Sequence, residues 1–293
     1  MRLQPAVSQP NTHACGWKAA FVLTASLLTQ ASWADILISP QRVVMNDSTR
    51  QATVSLHNPG DKARSYRLQW VEREQTADGG VRVAEGKSNP NSAAGLVRFS
   101  PRQVTVPPGQ TQTVRLDYRP NANLATGEYR SHLLIGIEPA KDAAGRPSGT
   151  EVAREQRDGM TFRLEALMSF AVPVFVRHGA GSVNTDITGV KPAFVERDGQ
   201  RQPALDITLS RSGEHSAYGK LIVYQQQNAS APVEKIGETA GVAIYTELHQ
   251  LTRNVLLRPG TQLTPGSWIR VSYEGEGPQT GQVFAERVFQ LGN

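Results

Sequence analysis

From residue 36 onward, apolar and polar residues alternate in short runs broken by glycine- and proline-rich turns. A strand sends successive side chains to opposite faces, so a period of two marks a strand with one buried face. Residues 36–45 (ILISPQRVVM) read as an opening strand in which Pro40 marks a kink or an edge position. Residues 51–57 alternate through Ala52, Val54 and Leu56, and Asn58-Pro59-Gly60-Asp61 turns the chain. Tyr66, Leu68, Trp70 and Val71 mark the next strand, followed by the turn Asp78-Gly79-Gly80. Residues 96–99 give a short strand, and Pro107-Pro108-Gly109-Gln110 another turn. Residues 111–118 alternate around Val114 and Leu116, and residues 129–137 follow.

The segment 160–176, MTFRLEALMSFAVPVFV, carries the strongest signal. Met160, Phe162, Leu164, Ala166, Met168 and Phe170 share one face, while Arg163 and Glu165 fall on the other. It reads as one strand far longer than the usual five or six residues. A polar loop, residues 139–159, precedes it where a short turn would be ordinary. A long apolar-striped strand behind a polar lead-in is suited to being lent to another protein.

These strands, with turns between them and no convincing amphipathic helix, predict an immunoglobulin-like sandwich. RHGAGS, residues 177–182, is small and polar and marks a boundary. Beyond it strands are expected at 183–190, 204–209, 217–225, 242–245, 254–257, 268–273 and 283–289. The fold class is therefore all-β, two sandwiches in tandem, divided as 35–178 and 179–293.

The first 34 residues read as a secretory leader. Arg2 and Lys18 precede a short apolar core at residues 19–28, and Ser32-Trp33-Ala34 supplies small residues for cleavage. That core is too short to span a bilayer, so no stable membrane insertion is expected. The one cysteine, Cys15, lies inside the leader, so the mature chain holds together without disulfides. Roughly 260 residues remain, enough for two domains of ordinary size. The formal net charge is +5, but the basic residues are dispersed with no run of four, which speaks against nucleic acid as a partner.

Catalytic signals are missing. His57, His132, His178, His215 and His249 form no i, i+3 or i, i+4 pair, so no metal site is expected. There is no G-x-S-x-G elbow, no S-x-x-K motif and no phosphate loop, and no cofactor is implied. Ser212-Gly213-Glu214-His215-Ser216 sets serine beside histidine but reads as a turn. The expectation is a binding protein rather than an enzyme. Arg42 in the opening strand, Arg130 at the start of residues 129–137 and Arg177 at the boundary stand out, because a guanidinium matches a carboxylate bidentately.

In this order ISPQRVVM, SLHNPGDKARSYRLQWVE, RFSPRQVTVPPGQTQTVRL, ATGEYRSHLLIGIEP and the closing VPVFVRHG resemble the periplasmic chaperones of pilus assembly, the PapD-like proteins. GEYRSHLL looks closest to the archaic, Csu-type branch. The resemblance implies a boomerang of two immunoglobulin-like domains in the periplasm. Such a protein binds pilus (fimbrial) subunits by donor-strand complementation and delivers them to an outer-membrane usher. Met160, Phe162, Leu164, Ala166 and Met168 would be the donor side chains, and backbone ladder bonds would add affinity. Methionine suits a surface that accepts several partners. Arg42 matches the family's first-strand arginine, which anchors the subunit's C-terminal carboxylate. The family's second anchor, a lysine late in the long strand, falls here at Pro173. Arg130 is the expected replacement, with Arg115 second. Glu128 and Arg177 match a family interdomain ion pair. A bare apolar edge also predicts self-association of the free protein. The alternative class is an exported carbohydrate- or matrix-binding sandwich, against which the few, dispersed aromatics count. An exported hydrolase is a third.

Overall fold

A computed structural model describes residues 36–84, 89–138, 153–157, 160–164 and 168–292. The leader expected at residues 1–34 and Ala166 of the apolar stripe lie outside these residues.

Among the described residues the secondary structure is β throughout, apart from one 3-10 turn at Gly277–Gln279. The first sandwich has a four-stranded sheet in the order Leu37–Ser39, Gln51–His57, Thr111–Tyr118 and Val97–Ser100. Its five-stranded sheet runs Val43–Asn46, Ser169–His178, Gly127–Ile137, Arg64–Val71 and Gln103–Val106. The alternation read from the sequence is the alternation of burial. Val54, Leu56, Val114 and Leu116 from one sheet meet Met45, Tyr66, Leu133, Ile135, Val174 and Val176 from the other in one closed cluster. Each such aliphatic side chain contributes about 1.5–3 kcal/mol on leaving water.

The opening strand is two strands. Leu37–Ser39 pairs antiparallel with Gln51–His57, and after Pro40 the chain crosses to the other sheet, where Val43–Asn46 pairs parallel with Ser169–His178. Proline interrupts the ladder at the point of crossing, because it has no N–H to give. Arg42 stands just before the first parallel pair, Val43 with Val174.

The single long strand expected over 160–176 is corrected to two described strands in different sheets. Ser169–His178 belongs to the sandwich, whereas Met160–Leu164 pairs antiparallel with Ala153–Arg157. The lead-in expected to be only loop thus contains a strand. The register Arg157 to Met160 leaves Asp158-Gly159 between the two, and Asp-Gly is the strongest short-range hairpin signal.

The second sandwich pairs Val183–Arg197 with Gln200–Gly213 and Gln250–Leu256 in one sheet, and Glu234–Ile244, Ala217–Gln226, Trp268–Gly275 and Val283–Gln290 in the other. Ile207, Leu209, Leu221, Val223, Val255, Ile269 and Val271 fill its core. The first two strands extend well past the apolar stretches that mark them in the sequence. They continue as a hairpin turned by Asp198 and Gly199, both at positive φ. At the other end Gly213 holds φ at +98°, and a Cβ there would stand 2.5 Å from the Ser182 carbonyl oxygen. Only glycine fits this close approach of two backbones.

Leu133 is fully buried at the centre of the first core. Leu133→Ala is expected to lower the unfolding free energy by about 2–5 kcal/mol, read from urea denaturation at unchanged m-value.

Candidate functional site

The candidate site lies where the five-stranded sheet of the first sandwich meets two connecting segments of the second. Strand register sets its floor. On Gly127–Ile137 the residues Glu128, Arg130 and His132 share one face, directly opposite Arg177, Phe175 and Pro173 of Ser169–His178. The alternate face of the latter strand, Val172, Val174 and Val176, enters the first core. From the second sandwich come Ser216, at the start of Ala217–Gln226, and the turn Tyr245–Leu248, closed by a bond from the Leu248 N–H to the Tyr245 carbonyl.

Four arginines gather here, each with a different partner. Arg177 Nε donates to Glu128 Oε2 at 2.9 Å, and its Nη2 donates to the Ser216 carbonyl at 3.0 Å. The Ser216 N–H returns a bond to Glu128 at 3.2 Å. The Glu128–Arg177 pair therefore bonds the second sandwich through the backbone N–H and C=O of one serine. Arg130 donates to both carboxylate oxygens of Glu247, at 2.6 and 3.3 Å, and to the Arg73 carbonyl at 2.8 Å. Its guanidinium also lies 3.9 Å from the centre of the Tyr245 ring. Arg211 of Gln200–Gly213 donates only to backbone carbonyls.

Arg42 is surrounded by rings. Its guanidinium sits between the rings of Phe175 and Tyr218, 4.1 Å from each centre, with Tyr245 at 5.6 Å. Its Nη2 is buried with no hydrogen-bond partner. Ring faces attract a cation, by about 0.5–2 kcal/mol each, but they accept no strong hydrogen bond. Desolvation lowers the Arg42 pKa, partly opposed by Tyr245, and a guanidinium still keeps its proton. The result is a charged, desolvated guanidinium with one buried nitrogen, Nη2, that has no acceptor, which costs more than an ordinary unpaired polar group.

His132 lies on the same face, and its pKa is pushed down to about 3, first by burial and then by the positive charges of Arg130, Arg73 and Arg42. It is neutral at ordinary pH. Arg73 points into the same field with its Nε buried and unpartnered. A cavity of about 260 Å³ opens beside Arg73 and Arg130, lined also by Glu128, Glu247 and Asn91. Among the described residues no group of three His, Cys, Asp or Glu side chains is arranged to hold a metal ion.

The expected site residues thus fall out differently. Arg42 is charged and desolvated, with its Nη2 unpartnered. Arg130, expected as a second free anchor, already holds a carboxylate, and its side chain is only 9% exposed. Arg115 sits in Thr111–Tyr118, in the other sheet, away from this cleft. Met168 is 54% exposed at the outer end of the strand, and its carbonyl accepts from the Ile137 N–H. Met160, Phe162 and Leu164 lie in the backbone hairpin with Ala153–Arg157. Tyr218, Tyr245 and Glu247 gave no signal in the sequence. They lie far along the chain from the strands they serve, and their spacing follows no local motif.

The backbone adds one more feature. Val43–Asn46 covers Ser169–His178 only from Val174 to Arg177. Among the described residues no strand pairs with Ser169–Pro173 on that side, whereas the other side is laddered to Gly127–Ile137 down to Ser169. The open edge therefore ends at Arg42.

A family model for an Fn3-like domain matches residues 44–132. No curated protein matches the chain. Among solved structures the chain is similar to the class 5 fimbriae chaperone CfaA, at 12% identity over 87% of this chain and 98% of that one, with a TM-score of 0.43. It is similar to the chaperone–subunit complex CsuC–CsuE of Acinetobacter baumannii, at 11% identity over 88% and 99%, TM-score 0.39. It is also similar to the Salmonella enterica complex of SafA pilin with the SafB chaperone, at 13% identity over 87% and 96%, TM-score 0.41. No helix among the described residues is long and apolar enough to cross a membrane.

Two outcomes follow from the cleft. Glu128 is 1% exposed at its side chain, so Glu128→Ala strands the Arg177 charge. A loss of about 3–5 kcal/mol in unfolding free energy is expected, mostly restored in Glu128→Leu with Arg177→Met, as a double-mutant cycle would read. His132 binds its proton near pH 6.5 when unfolded and only near pH 3 when folded. Its contribution to stability is therefore present above pH 6.5 and is lost as pH falls toward 3. His132→Asn should flatten that part of a stability–pH curve measured by urea titration.

Proposed function

We propose that this protein is a periplasmic chaperone that binds fimbrial subunits along the open edge of Ser169–His178 and passes them to an outer-membrane usher. The observation that carries the reading is the buried, unpartnered Nη2 of Arg42 at the end of that edge. A strand laid parallel along Ser169–Pro173, in line with Val43–Asn46, ends with its C terminus beside Arg42. A terminal carboxylate supplies the acceptor that the aromatic rings cannot, and fixes the register of the added strand. Charge-assisted bonds of this type are short and strong.

Strand addition gives affinity through backbone bonds and specificity through alternate side chains. The exposed Met168 continues the face that holds Phe170, Val172 and Val174 against the first core. Met160, Phe162, Leu164 and Ala166 extend the same alternation in the sequence and are the proposed donor side chains. In this reading residues 1–34 are the leader, 35–178 the strand-donating domain and 179–293 the second. Glu128 and Arg177 hold the angle between the two domains. The fimbrial partner comes from the sequence resemblance. The cleft supports the narrower statement that the ligand ends in a carboxylate. Arg130, the second anchor proposed, is engaged by Glu247 before any ligand binds.

The test is capture of subunits by the tagged mature protein from its own periplasm, with mass spectrometry of what co-purifies. A small β-rich secreted subunit at equal stoichiometry is expected. Arg42→Ala should weaken its binding by about 10- to 100-fold, the worth of one charged hydrogen bond, with the fold intact. Undiminished capture by Arg42→Ala would end the anchor role.

A further inference from the structure

Arg211 is almost fully buried, at 4% exposure, and among the described residues no carboxylate lies within ion-pair distance of it. Its hydrogen bonds go to the backbone alone, with the charges of Glu128, Glu247 and Glu214 acting on it from farther off. Nε donates to the Leu248 carbonyl at 3.2 Å and Nη2 to the Thr246 carbonyl at 3.0 Å. Nη1 donates to the Gly213 and His215 carbonyls at 2.7 and 3.0 Å. Its own N–H donates to the His249 carbonyl at 2.8 Å.

These acceptors belong to the two segments by which the second sandwich reaches the cleft. Thr246 and Leu248 flank Glu247, the partner of Arg130, in the turn that begins with Tyr245. Gly213 and His215 lead into Ser216, the partner of Arg177 and Glu128. A planar guanidinium with its fixed fork of donors can hold several carbonyls in one geometry, which a flexible ammonium cannot. Tyr245 in turn stacks on Arg130 and stands 5.6 Å from Arg42.

We propose that Arg211 is a positioning residue for the cleft. It fixes the Tyr245–Leu248 turn and the Gly213–Ser216 segment together, so that Tyr245 completes the aromatic cage around Arg42 and Glu247 neutralises Arg130. Arg211 touches no incoming strand and acts through the two segments it staples. The inference about binding rests on the reading of Arg42 as the carboxylate anchor, whereas the inference about geometry is readable in the free protein.

The experiment is NMR of the full mature chain, following the side-chain Nε–H resonances of Arg42 and Arg130. Both lie over aromatic rings and carry ring-current shifts in the native protein. In Arg211→Met the Arg130 shift, which Tyr245 sets at 3.9 Å, is expected to vanish, and the Arg42 shift to fall by the Tyr245 contribution while Phe175 and Tyr218 keep the rest, with methyl resonances of Leu133 and Ile207 in the two cores staying in place. Arg211→Lys keeps the charge without the fork and is expected to behave as Arg211→Met does. An Arg130 shift that persists in either variant with the cores intact would overturn the proposal. Loss of folding in both variants would overturn it too, and would assign Arg211 to stability alone. Retained subunit capture by Arg42→Ala would instead remove the anchor reading, and the resonance test of Arg211 would still decide the geometry.

Discussion

A guanidinium withdrawn from water must find compensation, and the way this is met differs among the arginines of one seam. Arg177 has a carboxylate, Glu128, whose burial is nearly complete. Arg130 has a carboxylate delivered from the other sandwich. Arg211 has carbonyls as its hydrogen-bond partners and carboxylates only at a distance. Arg42 has ring faces and an unanswered Nη2. Because desolvated charge is costly, the first three are answered by carboxylates or carbonyls of the protein, whereas Nη2 of the fourth is not.

The ties depend on one another. Glu247 bonds Arg130 and also accepts the Gln75 N–H, while Gln75 uses its side-chain amide to bond the Ala243 carbonyl and the Tyr245 N–H. A short hairpin of the first sandwich, Arg73–Gln75 with Val81–Val83, is thereby stitched to the segment 243–247 of the second. Arg211 tightens the same segment from behind. Tyr245 is thus held from three sides, which lets a tyrosine outside any regular strand serve as a fixed wall for two arginines. A cleft with such walls is preorganised, and a ligand entering it loses little by way of protein ordering.

Much of the fold was legible along the chain because a half-buried strand advertises itself with a period of two. Strands such as Thr111–Tyr118, with Val114 and Leu116 inward, and Ala217–Gln226, with Leu221 and Val223 inward, lie where the alternation put them. The crossing at Pro40 was marked as a kink, although the change of sheet was not readable. The errors are also physical. The hairpin Ala153–Arg157 with Met160–Leu164 was missed because its first strand, AREQR, has little apolar character, even though Asp158-Gly159 stood in plain view. Strand ends around Lys191 and Pro203 were cut short, since their pairing follows from continuing a ladder rather than from apolar alternation.

The sequence by itself determined the all-β class, the two apolar cores and three arginines that stand out by placement, Arg42, Arg130 and Arg177. These are local properties, written in neighbouring residues. Only the tertiary structure decided that Arg130 is answered by Glu247, 117 positions away, and that Tyr218 and Tyr245 enclose Arg42. Partners so far apart in the chain meet through the packing of one sandwich on another, and no spacing in the sequence encodes which carboxylate reaches which cation. That is why the residue types of the site were visible beforehand and their free or engaged state was not.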